Sequence, residues 1–137
     1  MPIVPDQIKT PIRQYSDLDM AFSMHPAKKD VAKKLGDQAV IQSLKNLVQM
    51  NFYEKPFKPY IGCNARKLLF ENMTPIIANT LKDVILETIA TNEPRVEVNQ
   101  CIVSADYDNN SYSVTIEFYV NNRTEPTIAA FVLQRIR

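Results

Sequence analysis

The chain has 137 residues, of which 45% are hydrophobic and 23% charged, with a net charge of +1. These proportions suit a single globular domain whose core needs no disulfide or metal, and they exclude wholesale disorder. No apolar run approaches the ~20 residues of a membrane span and no signal-peptide core opens the chain, so a cytoplasmic site of synthesis without membrane contact is expected.

The small net charge hides a division. Residues 26–67 hold nine Lys and Arg against three Asp and Glu, whereas 68–137 hold five against nine. A polar molecule of this kind is oriented by its own field as it docks. Nucleic acid is not the expected partner, because the basic segment lacks an Arg-rich helix, an RNA-binding aromatic motif or zinc spacing. Cys63 and Cys101 are expected as reduced thiols, and the Asn-x-Ser/Thr triplets at Asn72, Asn109 and Asn122 as incidental.

Residues 1–14 contain Pro2, Pro5 and Pro11 without periodicity, which predicts an extended arm; residues 15–137 are expected to form the domain. Tyr15 to Met24 alternates weakly and predicts a short strand with Leu18, Met20 and Phe22 on one side. Lys28 to Asp37 is basic and ends in a Gly36-Asp37 turn. Asp37 is the expected N-cap of a helix whose inner face is Val40, Ile41, Leu44, Leu47 and Val48. Asn51 to Gly62 is a loop, because Pro56 and Pro59 bar a regular helix. Its aromatics Phe52, Tyr53, Phe57 and Tyr60 are expected to pin it by packing, the alternative being that they anchor a partner. A short helix follows from Ala65 to Glu71, with Leu68 and Leu69 inward.

Thr74 and Pro75 then predict a well-defined helix start. Ile77, Leu81, Val84, Ile85 and Ile89 mark its core face, and Pro94 stops it near Thr91 or Asn92. The last third reads as β. Val96 to Ala105 is a strand whose alternation slips near Asn99-Gln100, hinting at a bulge. Tyr112 to Val120 alternates cleanly, and Thr127 to Ile136 is a third strand. The short turns between them predict an antiparallel meander. The expected class is therefore α+β: a three-stranded antiparallel meander packed on a long helix, with further helices and an extended arm on its N-terminal side. Its free edges could accept a strand from another chain.

Catalytic chemistry finds little support. Asp106, Asp108, Asn110 and Glu117 approach a calcium loop, but Ser111 stands where the turn needs glycine and the flanks alternate like strands, so a hairpin and no metal are expected. His25 is the only histidine and has no local nucleophile signature. With Gly36 and Gly62 the only glycines, a phosphate-cradling loop and nucleotide cofactors are not expected. A glycosidase would need paired carboxylates, for which Glu71 and Glu93 are the candidates. Arg95 is either in a surface ion pair with Glu93 or offers its planar fork to another subunit.

Lys55-Pro56-Phe57-Lys58-Pro59-Tyr60-Ile61-Gly62-Cys63, then Leu68-Leu69-Phe70-Glu71-Asn72-Met73-Thr74-Pro75, then Asn92-Glu93-Pro94-Arg95 resemble the small baseplate wedge subunit of T-even-type contractile-tail phages. That family, the gene 25 product family, is related to the baseplate subunit of type VI secretion systems. The match is tight from about Pro56 to Val96. The resemblance implies a non-enzymatic, cofactor-free virion protein of the sixfold tail baseplate, assembled in the host cytoplasm. It implies that Glu93, Pro94 and Arg95 engage the core-bundle proteins of the wedge. It also implies a sheet edge offered to the tail sheath protein, with Ile128, Ala130, Val132 and Gln134 as the sheath-facing strand. Residues 69–75 (Leu69, Phe70, Glu71, Asn72, Met73, Thr74, Pro75) are the family motif. A tail-lysozyme role through Glu71 and Glu93 is the alternative.

Overall fold

A computed structural model describes residues 15–121 and 123–135. The arm of residues 1–14, Asn122 and Ile136 lie outside the described residues. The elements are β1 (Ser16–Leu18), β2 (Lys33–Leu35), α1 (Asp37–Gln49), α2 (Ala65–Leu68), α3 (Pro75–Asn92), β3 (Val96–Asp106), β4 (Ser111–Val120) and β5 (Thr127–Gln134). The last three form the expected antiparallel meander, in the order β3-β4-β5. Along its inner face run cross-strand rows such as Cys101-Ile116-Ala129 and Val103-Val114-Phe131. On that face α3 lies against β3 and α1 against β5. Leu81, Ile85 and Ile89 of α3 and Val40, Leu44 and Val48 of α1 close the core.

The bulge does what the alternation required. Val96 and Val98 face inward before it, and Cys101, Val103 and Ala105 after it, with the register shifting between Val98 and Gln100. Without the extra residue the second half of β3 would turn its apolar side chains to water. The start and stop of α3 also match: the Thr74 hydroxyl accepts from the Ile77 amide at 3.3 Å, Pro75 opens the helix, and Asn92 ends it.

Four expectations need correction. In the Tyr15–Met24 segment only Ser16–Leu18 is a strand, and it pairs with β2, which the basic composition concealed. Leu18, Met20 and Phe22 are exposed, because the chain turns inward at Asp19 instead. The Asp19 carboxylate accepts from Ser23 and meets Lys34, and Phe22 adopts φ 50, which ends the extended run. Second, the N-cap of α1 is Gly36, at φ 60 and ψ −129, with Asp37 already helical and ion-paired to Arg123 at 2.7 Å. Third, α2 ends at Leu68; Leu69, Phe70 and Glu71 follow it as turn residues, Leu69 buried and Leu68 half-buried. Fourth, the buried stripe of α3 is Ala78, Leu81, Ile85, Thr88 and Ile89, with Ile77 and Val84 only half-buried at its edge.

Candidate functional site

The chain leaves α3 through a corner built from Glu93, Pro94 and Arg95. Pro94 cannot donate to a helix and sets an extended preference on Glu93, so the helix must stop there. The Glu93 amide still caps the Ile89 carbonyl at 2.9 Å, and Val96 donates back to the Glu93 carbonyl at 3.2 Å. From the far turn, Asn121 holds the corner twice. Its side chain donates to the Pro94 carbonyl at 3.0 Å and its amide to the Arg95 carbonyl at 2.9 Å.

The two charged side chains of the corner differ in exposure. Glu93 is only 6% exposed. Its carboxylate accepts from Arg95 Nε and Nη2, the latter at 2.8 Å, and from the Ser43 hydroxyl on α1 at 2.7 Å. Arg95 is partly exposed, and its guanidinium lies 5.1 Å from the centre of the Tyr15 ring. Burial alone pushes the Glu93 carboxyl up, but hydrogen bonds from Arg95 and Ser43, with the guanidinium charge, outweigh it and leave it below its ordinary value. Glu93 is thus an ionised brace, and Arg95 is a cation whose fork is held in one orientation. Ser43, Tyr15 and Asn121 complete the corner. They stand far from it in sequence and carry no local motif, so sequence reasoning missed them.

Residues 69–75 serve mainly to start α3. Leu69 is buried and Met73 half-buried against the core, Thr74 caps, Pro75 opens the helix, and Asn72 accepts from Arg135 at 3.4 Å. Phe70, Glu71 and Asn72 are exposed. On β5, Ile128, Ala130, Val132 and Gln134 lie on the outer face, exposed, while Ala129, Phe131 and Leu133 are buried. The Arg135 amide donates to Asn110 across the ladder. By two-residue alternation the amides of those four outer residues point away from β4, to an edge with no strand partner among the described residues.

The paired-carboxylate arrangement is not formed. Glu71 and Glu93 lie beyond opposite ends of the 18-residue α3, a helix about 27 Å long at ~1.5 Å per residue. Two carboxylates acting on one glycosidic bond stand roughly 5–10 Å apart. Moreover Glu93 is held ionised, the reverse of what a general acid requires. Asp106 and Asn109 are bonded to each other within the β3–β4 turn, at 2.7 Å between side chains, and no metal-holding cluster occurs among the described residues. Cys63 and Cys101 are free and buried, and burial pushes both thiols up, away from the reactive thiolate.

The sequence model of the family described as baseplate wedge protein gp25 matches residues 34–125, a span that holds the corner and residues 69–75 but stops before β5. The baseplate wedge protein gp25 of Enterobacteria phage T4 is 35% identical over 106 residues, covering 77% of this chain and 80% of that protein. A Geobacter sulfurreducens crystal structure, provisionally assigned as a tail lysozyme, superposes with a TM-score of 0.68 at 15% identity, covering 74% of this chain and 92% of that one. A chain of the sixfold-symmetrised anti-feeding prophage baseplate superposes at 0.61 with 19% identity, covering 90% and 88%. At those identities the two structures speak for the fold alone.

Proposed function

The chain belongs to the gp25 family of baseplate wedge proteins of contractile tails, and on that footing we propose that it is an adaptor with two faces: its Glu93-Pro94-Arg95 corner clamps the core-bundle proteins of the wedge, and its β5 edge receives strands of the tail sheath. One copy would sit in each of six wedges, assembled in the host cytoplasm and retained in the virion tail. The observation that carries the reading is the brace under Arg95. A buried, ionised carboxylate and a serine from α1 hold the guanidinium in place before any partner arrives, so little side-chain freedom is lost on binding. With Nε and Nη2 turned to Glu93 and Ser43, Nη1 is the group placed to donate to a carboxylate or carbonyl oxygen at a helix end of a neighbouring chain.

The β5 edge supports the second face. Its outward amides and carbonyls have no strand partner among the described residues, as strand addition requires, and the outer side chains Ile128 and Val132 are apolar and exposed. Two variants test the two faces separately. Arg95→Ala is expected to fold, with water entering the space left by the partly exposed guanidinium to solvate Glu93, and to fail in wedge incorporation; incorporation at the wild-type level would overturn the corner's role. Ala130→Pro removes an amide that points away from β4, so the ladder survives while sheath growth from the baseplate stops. Normal sheath growth on such particles would overturn the edge's role.

A further inference from the structure

The loop from Asn51 to Gly62 is braced without its aromatic side chains. Tyr53 donates its amide to the Pro59 carbonyl at 2.9 Å, and Cys63 donates to the Met50 carbonyl at 2.7 Å. The Glu54 carboxylate accepts from both the backbone and the side-chain amide of Asn51, at 2.9 and 2.7 Å. Gly62 shuts the base, since a Cβ there would lie 2.6 Å from the Asn51 carbonyl carbon. This corrects the expectation that aromatic packing pins the loop. Only Phe52 is half-buried; Tyr53 and Phe57 are 84% and 101% exposed, and Tyr60 is exposed as well.

Two of these aromatics are held outward against backbone preference. Tyr53 and Phe57 have φ of 70 and 65, a region that bulky side chains adopt rarely and at a cost. Tyr53, Phe52 and the exposed Phe70 wall a cleft of about 280 Å³ rimmed by Arg66 and Lys67. That is below the roughly 300–1,000 Å³ of small-molecule sites, so it suits a single inserted side chain. Arg66 and Lys67 line it, and over residues 51–70, the loop and the short helix after it, the chain carries four cations, these two with Lys55 and Lys58, against one acid, Glu54. Among the described residues Glu54 is ion-paired only to Arg66, at 3.9 Å.

We propose that this aromatic and basic face docks an acidic segment of another baseplate protein, which seats one apolar side chain between Tyr53 and Phe70 and sets its carboxylates against Lys55, Lys58, Arg66 and Lys67. Large aromatics around a notch that an inserted side chain would desolvate are the residues that concentrate binding energy, and a rim of one charge sign steers a partner of the other. An acidic protein segment fits better than nucleic acid, because the basic residues come without an Arg-rich helix, an RNA-binding aromatic motif or zinc spacing. The surface is independent of the roles given to Arg95 and to β5.

The test replaces Phe57 in the full chain with the photoreactive p-benzoylphenylalanine, builds the chain into particles, irradiates them and sequences the crosslinked peptide. A crosslink to a segment of a different protein, net negative and containing an apolar residue, is the expected result. Lys55→Glu with Lys58→Glu should lower its yield about tenfold without shifting the melting temperature, and Lys replacing the acids of the captured segment should restore it. No crosslink in irradiated particles, or one to a second copy of this chain, to nucleic acid or to a basic segment, would overturn the proposal. Should the Phe57 variant fold poorly, the same probe at Tyr60, outside the strained backbone, reads the same contact.

Discussion

Glu93→Gln isolates the brace at the corner, because the side chain keeps its shape and loses its charge. The carboxylate accepts two bonds from the Arg95 guanidinium and one from Ser43. An amide offers one acceptor oxygen, and whichever way it turns its NH2 faces Arg95 Nε or Nη2, so at least one bond from the guanidinium becomes a donor-donor contact, while the Ser43 hydroxyl can rotate to accept. Breaking a fully buried ion pair costs roughly 3–5 kcal/mol. Arg95 is 34% exposed and water can replace part of what it loses, so the expected loss is about 2 kcal/mol. For a domain of this size that lowers Tm by about 6–10 °C. The carboxyl lies below its ordinary value of 4.5 in the folded chain, so its contribution is complete above about pH 4.5 and fades as pH falls through the folded value. Thermal melts of wild type and variant from pH 7 to pH 3 should therefore converge below pH 4.5. A variant as stable as wild type at pH 7, or a gap that stays constant down to pH 3, would refute the account of Glu93 as an ionised brace.

Two further substitutions probe the frame that holds the surfaces. Gly62→Ala pushes a methyl group into the Asn51–Phe52 backbone, so chemical denaturation should show a loss of about 2–4 kcal/mol, and unchanged stability would mean the loop base is not closed as described. Thr74→Ala removes the cap of α3; with a capping distance of 3.3 Å the loss should fall at about 0.5–1 kcal/mol, read by the same denaturation, and the helix should otherwise persist.

Much of this architecture was legible because its signals are local. The Thr74-Pro75 start and the Pro94 stop act through backbone amides one turn away, and the alternation of β4 is set by the two-residue period of a strand. Even the slip at Asn99-Gln100 could be read, since apolar residues on both sides of it had to reach one core. The loop aromatics were misjudged for a different reason. Aromatic composition indicates an appetite for burial, but whether a side chain finds a core depends on the direction in which its backbone throws it, and the positive φ at Tyr53 and Phe57 is not written in any periodicity. The β1–β2 hairpin was half-hidden for a related cause, because a strand of lysines has no apolar alternation to betray it.

The residues alone thus determined where α3 begins and ends and the meander with its bulge, consequences of short-range backbone geometry and of one face seeking a core. Tertiary structure alone decided that Glu93 turns inward onto Ser43, that Tyr15 and Asn121 join Arg95, and that Glu71 and Glu93 stand a helix length apart. Those pairings join residues dozens of positions apart, and only the packing of α1 on α3 and the closing of the sheet bring them within the few ångströms over which hydrogen bonds and charges act.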